Sequence, residues 1–248
     1  MSLVDEYRRQ SGWRDRVGAL DALPPLEGCL VMDLGCGLGD VAEQLVGRGA
    51  RVLGVDLDEE LLAVARSRDL PGADFVAADL REPFRLPVEV DGLWGSFLAA
   101  YFVDLPSALR RWSRHLRPGG WIALTEIDDL FGHAPLAART RELLDAYAEE
   151  ALEQGRYDFR MGRKLGAHLE AAGFHVTREL TLHDRELAFT GPAPPEILDA
   201  WSRRFDRMKP LHDVCGSELP RVKEDFLGCL ANLDHTCTAN IHCCVAAR

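Results

Sequence analysis

The sequence predicts an α/β fold: a doubly wound, seven-stranded, mostly parallel sheet whose last strand runs antiparallel. Three observations predict it. Between residues 28 and 127, apolar runs of strand length alternate with helix-length stretches, the pattern of parallel strands joined by right-handed crossovers. A glycine-rich turn, Gly35-Cys36-Gly37-Leu38-Gly39, stands where the first such run gives way to the first helical stretch. The chain closes on a further apolar run, Ile241–Ala247, able to lie antiparallel beside the strand before it.

Each element can be justified in order. Residues 1–27 read as a helical preface, because Tyr7, Trp13 and Val17 recur at helix-compatible spacings and Pro24-Pro25 ends the segment. Strand-length runs follow at Cys29–Leu34, Arg51–Val55, Asp74–Ala77, Gly92–Phe97 and Trp121–Ile127. Helical stretches lie between them at Asp40–Arg48, Glu59–Arg68 and Pro106–Leu116. Arg117-Pro118-Gly119-Gly120 is a helix stop and turn. Residues 129–161 read as a long loop plus a helix, Ala137–Gln154. Gly162–Ala172 is a helix stopped by Gly173, and Phe174–Leu182 is a strand. Residues 186–236 carry Pro192, Pro194 and Pro195, then helices near Glu196–Met208 and Leu219–Leu230. Residues 1–248 are expected to form a single domain.

Composition narrows the function. With 248 residues, 47% hydrophobic and 28% charged, the chain has the makings of a sizeable core. A formal net charge of -11 with no Lys/Arg block argues against a nucleic-acid partner. No apolar run reaches the ~18 residues of a membrane helix, so no membrane partner is expected. The polar start, MSLVDEYRRQ, does not read as an export signal, and seven cysteines fit reduced thiols in the cytoplasm. A monomer or homodimer is expected. Cys229, His235, Cys237, His242, Cys243 and Cys244 crowd the C-terminus, but their spacings give no paired CxxC or HxxxH, so no metal site is expected.

The chemistry is carried by strand ends. Glycines at 35 and 37 let the backbone turn sharply and pass close to a ligand. The spacing is GxGxG, and Asp40 occupies the place of the last glycine in GxGxxG. Asp33 stands two residues before the first glycine. A carboxylate there suits a ligand with an ammonium group and would repel a pyrophosphate. Asp56, at the end of the second run, can accept both hydroxyls of a ribose. Asp79 follows the third run and can accept from an adenine amino group, while the Leu80 amide can donate to a ring nitrogen. Strand ends at a switch in strand order converge on one crevice.

This ordered set resembles the class I, Rossmann-like, S-adenosylmethionine-dependent methyltransferases, particularly their small-molecule branch. The likeness covers roughly residues 28–182: DLGCGLG, VDLD, AADL, RHLRPGGWIALTE and Glu-Ala-Ala-Gly-Phe at 170–174. It implies S-adenosylmethionine as cofactor, S-adenosylhomocysteine as product and a small-molecule substrate. It implies that Gly35, Cys36 and Gly37 pass along the methionine part, that Asp56 holds the ribose with Leu57 against the adenine, and that Asp79 and Leu80 read the adenine edge. Ser96, Phe97 and Leu98 would lie under the sulfonium and methyl. Residues 129–161 and 186–236 would supply helical lid or substrate insertions.

Methyl transfer from a sulfonium is a direct displacement, so a base is needed only if the nucleophile begins protonated. Candidates after the fourth and fifth runs are Tyr101, Glu126, Asp128, Asp129 and His133. His133 and Tyr101 are the catalytic candidates, the first as a neutral imidazole able to take a hydroxyl proton, the second orienting a substrate. Arg160 could meet an anionic substrate, and Tyr7 and Trp13 could close over the cofactor.

Overall fold

The computed structural model describes residues 3–84 and 88–248, so Met1 and Ser2 of the preface lie outside the described residues. The preface is two helices, α1 (Leu3–Ser11) and α2 (Arg16–Asp21), rather than one. Gly12 and Trp13 donate to the Arg9 and Gln10 carbonyls and end α1. Asp15 then caps α2, accepting from the Gly18 amide at 3.3 Å.

The alternating half follows as β1 (Leu30–Leu34), α3 (Asp40–Val46), β2 (Arg51–Asp56), α4 (Glu59–Ser67), β3 (Ala73–Ala77), β4 (Val90–Ser96), α5 (Leu105–Trp112) and β5 (Leu116–Asp128). Then come β6 (His133–Ala134), α6 (Ala138–Glu153), α7 (Leu165–Ala171), β7 (His175–Leu182), α8 (Pro195–Arg207), α9 (Lys209–Cys215), α10 (Leu219–Leu230), β8 (Thr236–Cys237) and β9 (Asn240–Ala247). Among the described residues the main sheet has seven strands in the order β3-β2-β1-β4-β5-β9-β7. β1 to β5 are parallel, and β9 runs antiparallel to both β5 and β7. The closing strand therefore inserts between β5 and β7, and the strand order reverses beside β1, where β2 lies on one side and β4 on the other.

Alternation sorts the side chains into two cores. Val31, Trp94, Ala123 and Val245 pack on one face with α2, α3 and the later helices. Met32, Leu93, Ile122 and Ala246 pack on the other with α5 and α7. Cys243 and Cys244 are both buried and fall on opposite faces, as strand geometry requires.

Three departures from the sequence expectation have local causes. β5 starts at Leu116, not Trp121, because Leu116 pairs with Val90 before an irregularity in the register. α9 is additional: Met208 leaves the helical region at ψ 67, and Pro210 in the next first turn allows a restart. The β6–β8 pair is two residues long on each side, too short for a periodicity to reveal.

Gly92 shows how tightly the sheet face is filled. A Cβ there would stand 2.2 Å from Cε2 and Cζ2 of Trp121, whose ring covers the glycine. Gly92→Ala must displace a buried indole, and a loss of about 2–3 kcal/mol is expected. Denaturant midpoints at unchanged m-value check it.

Candidate functional site

The turn after β1 is held by backbone geometry. Gly35, Gly37 and Gly39 take φ of 70, 53 and 77°, the left-handed region that favours glycine. The Gly35 and Cys36 amides donate to the Val55 carbonyl at 2.8 and 3.1 Å, tying the turn to the end of β2. Asp56 braces it further: one carboxylate oxygen accepts from the Gly37 amide at 2.8 Å and the other from the Asp58 amide at 3.0 Å. A carboxylate offers about four acceptor positions, so acceptor capacity remains for a ligand.

Asp33 is the anomaly of the site. It is 2% exposed, and its Oδ2 has no hydrogen-bond partner. Burial pushes its carboxyl up to about 7; Arg16 opposes that rise, and Asp56 and Asp40 add to it. An unpaired buried carboxylate oxygen is costly. A small cavity of about 20 Å³ is lined by Arg14, Arg16, Trp94, Ser96, Phe97 and Asp184, among others, and Trp94 is the strand partner of Asp33. The Arg14 guanidinium carbon sits 3.8 Å from the Phe97 ring centroid, within cation–π range. Nε of Arg14, Nε of Arg16 and Nε1 of Trp94 are buried without hydrogen-bond partners.

Phe97 itself has φ 53°, an uncommon conformation for an aromatic residue. Its amide donates to the Thr125 carbonyl at 2.8 Å, and Thr125 Oγ1 donates to Ser96 Oγ at 2.7 Å. The ends of β4 and β5 are thereby locked together under the cavity. Leu98 lies 3.5 Å from where a Gly35 Cβ would be, and the Tyr7 ring of α1 lies 3.7 Å from where a Gly37 Cβ would be. Tyr7 thus covers the glycine turn. Trp13 is partly buried, beneath the Arg9 guanidinium at 5.3 Å.

At the other end, Leu57 is 58% exposed. Asp79 is engaged by Arg81, Nη2 to Oδ2 at 2.8 Å, and that hydrogen bond holds its carboxyl below the usual range. Leu80 is buried, and its carbonyl accepts from Arg111 at 3.0 Å and from Trp112 Nε1 at 3.1 Å.

On the opposite face of β5 from Thr125, Glu126 at the strand end is fully buried. Its Oε1 accepts from the Ile127 amide at 2.9 Å and the Tyr157 hydroxyl at 3.3 Å; Oε2 accepts from the Ala100 amide at 3.1 Å. Burial raises it to about 7 against the pull of those donors. Tyr101 is exposed and meets Tyr157 edge-on, centroids 4.8 Å apart. Arg204 of α8 pairs with buried Glu186 at 2.5 Å.

His133 is elsewhere. It is fully buried in β6 and shares a 2.9 Å hydrogen bond between its Nδ1 and His235 Nε2. Its ring packs against Phe189, Trp201 and Phe226. Burial, then His235 and Arg141, drive its pKa down to about 3. It is no loop histidine, and none of these neighbours lines the cavity. Asp128 is held by Arg163 Nε at 2.7 and 2.8 Å. Asp129 accepts from Thr238 at 2.7 Å, and Arg160 is in ion pairs with Asp129 and Asp145. Cys237 Sγ is 4.0 Å from His133 Nε2; among the described residues no group of three or more His, Cys, Asp or Glu could hold a metal. Among the described residues no helix is long and apolar enough to cross a membrane.

Sequence reasoning reads Tyr157 as the start of a lid segment, Tyr157–Arg163, and does not single out Arg14, Arg16 or Trp94. The available signal is weak: two arginines within three residues of Trp13 in an acidic chain.

Known proteins share the sequence pattern and the fold. A family model described as a methyltransferase domain matches residues 31–120. Nocamycin O-methyltransferase of Saccharothrix syringae is 33% identical over 204 residues, covering 74% of this chain and 71% of that one. A ubiquinone biosynthesis O-methyltransferase of Pseudomonas aeruginosa is 32% identical over 170 residues, 65% of this chain and 71% of that one. The S-adenosylmethionine-dependent methyltransferase of Mesorhizobium loti superposes with a TM-score of 0.55 at 23% identity, covering 94% of this chain and 97% of that one. The chain belongs to the class I methyltransferases and is an enzyme that uses S-adenosylmethionine as methyl donor.

Proposed function

We propose that the cofactor lies along the crevice from Asp33 to Asp79 and that the enzyme methylates an oxygen of a small metabolite. The unpaired Oδ2 of buried Asp33 carries the cofactor placement. It offers an anion for the methionine ammonium, and Arg16, whose buried Nε has no hydrogen-bond partner, and Arg14, whose Nε is 4.0 Å from Asp184, offer cations for the methionine carboxylate. Together they make a receptor for a zwitterion. Gly35, Cys36 and Gly37 pass along the chain between, and Tyr7 closes over them. The spare acceptor capacity of Asp56 meets the ribose hydroxyls. Exposed Leu57 takes an adenine face, and Asp79 with Leu80 takes its edge once Arg81 shares the carboxylate. The bound cofactor supplies an electrophilic methyl on a sulfonium.

Phe97 and Leu98 then form the floor beside the acceptor, and Tyr101 its open rim. Residues 129–161 and 186–236 wall the acceptor space, within a chain read as one domain. The oxygen acceptor is supported by the names of the nocamycin and ubiquinone relatives. Calorimetric titration with S-adenosylmethionine tests the placement. One-to-one binding is expected, and Arg16→Ala should weaken it ten- to a hundredfold, about 1.5–3 kcal/mol for a lost charged hydrogen bond. Binding undiminished in Arg16→Ala and Arg14→Ala alike removes the zwitterion receptor.

A further inference from the structure

We propose that Tyr157 and Glu126 form a proton relay for the acceptor: an acceptor hydroxyl gives its proton to the Tyr157 oxygen while Tyr157 gives its own to the Glu126 carboxylate. The inference rests on the methyl-transfer reading above and narrows it. It makes the acceptor atom a hydroxyl oxygen that arrives protonated. A carboxylate acceptor has no proton to lose and needs no such device.

Placement carries the argument. Glu126 interrupts an apolar strand, Trp121 to Ile127, whose other members are hydrophobic apart from Thr125. It is wholly buried at the end of β5, one residue after cavity-lining Thr125, so its side chain falls on the opposite face of the strand, with Ala100. Two backbone amides fix its orientation, and among the described residues the Tyr157 hydroxyl is its side-chain donor, at 3.3 Å. Tyr157 is partly buried and touches exposed Tyr101, so the pair leads from the open rim to the buried carboxylate. Arg14, a cavity-lining residue, is close enough to lower the pKa of Glu126.

The charged and titratable surroundings are compatible with one proton moving. Arg14 faces Glu126 from the preface, and Tyr101 faces Tyr157 from the turn after β4. Arg204 faces Tyr157 from α8 and is matched by Glu186. His242 stands opposite Glu126 in the β5–β9 register, on the side where Asp128 and Arg163 are already paired. Glu126, raised by burial to about 7, lies in the range a general base needs near neutral pH.

The step balances. The acceptor O–C bond forms as the C–S bond breaks, its electron pair staying on sulfur. The acceptor O–H bond breaks, Tyr157 ends as it began, and Glu126 holds the proton until product leaves and solvent takes it. Removing either relay member should lower transfer to a hydroxyl about a hundredfold and leave S-adenosylmethionine affinity unchanged.

The test uses the full chain loaded with S-adenosylhomocysteine and carrying glutamate labelled with 13C at Cδ. One carboxyl signal should titrate near pH 7 and be missing in Glu126→Gln. Tyr157→Phe removes a donor to the carboxylate, so the midpoint should rise. Phenol, as a probe hydroxyl, should shift the midpoint in the parent protein and not in Tyr157→Phe. Tyr157→Phe keeps the buried carboxylate and so decides the matter if Glu126→Gln does not fold. A midpoint in the ordinary glutamate range, a midpoint indifferent to Tyr157→Phe, or a phenol response that survives Tyr157→Phe each overturns the relay. Failure of the parent protein to bind S-adenosylmethionine in calorimetry would instead sink the cofactor placement, so the two failures read differently.

Discussion

Asp33→Asn is expected to stabilise the empty protein and to weaken its hold on S-adenosylmethionine, and both effects should grow with pH. The folded carboxyl is raised to about 7 from an ordinary value of 3.8. Between those values the folded state keeps a proton that the unfolded chain has lost, so stability falls as pH rises across that window and is level above it. Asparagine carries no such charge. Its advantage should be absent near pH 4 and complete by about pH 8, at about 1–3 kcal/mol for relief of an unsatisfied buried group. Glu126, also raised to about 7, contributes the same sign in both proteins and cancels in the comparison. The cofactor side runs the other way. At pH 8 the variant lacks the anion that meets the ammonium, and affinity should fall ten- to a hundredfold. Near pH 5.5, where the parent Asp33 is itself protonated, the two proteins should bind alike. Denaturant midpoints and calorimetry at both pH values check the pair of effects. A variant that is less stable at pH 8 with unchanged affinity would place the ammonium elsewhere.

Asp56→Ala should have the larger effect on binding. The carboxylate accepts from the Gly37 and Asp58 amides at 2.8 and 3.0 Å, so it shapes the turn before any ligand arrives. Alanine removes both contacts and the proposed ribose acceptor together. Each charged hydrogen bond is worth about 1.5–3 kcal/mol, and affinity should fall at least about a hundredfold. Stability should fall as well, by about 1–3 kcal/mol, because two turn amides lose partners. Asp56→Glu separates the roles: its longer side chain still carries the charge but cannot brace both amides. It should recover part of the stability and little of the affinity. Full affinity in Asp56→Ala would take Asp56 out of the site.

The sheet and the cofactor side were legible because each rests on local pattern. Strand runs, a glycine turn with positive φ at Gly35 and Gly37, and carboxylates at strand ends all sit within a few residues of the elements that position them. The strand order sets β1 beside β2, so Asp33 and Asp56 stand at the ends of neighbouring strands. The acceptor side depends on chain segments that meet only in three dimensions. His133 looks like a loop residue until Thr236 and Cys237 pair with its strand and Trp201 and Phe226 enclose its ring. Arg14 gains its place through a bridge to Asp184, far along the chain. Glu126 is visible as a carboxylate in an apolar strand, but nothing local announces that Tyr157 will reach it. Asp79 stands between these cases: its strand-end position is legible, and so is Arg81 two residues on, yet their pairing emerges only from the coordinates.

A crystal structure of the chain with S-adenosylhomocysteine tests the central claim most directly. The account predicts the ammonium within hydrogen-bond distance of Asp33 Oδ2, the carboxylate at Arg14 or Arg16, and the ribose hydroxyls on Asp56. A ligand bound away from the glycine turn, with Asp33 Oδ2 still unpaired, would contradict it.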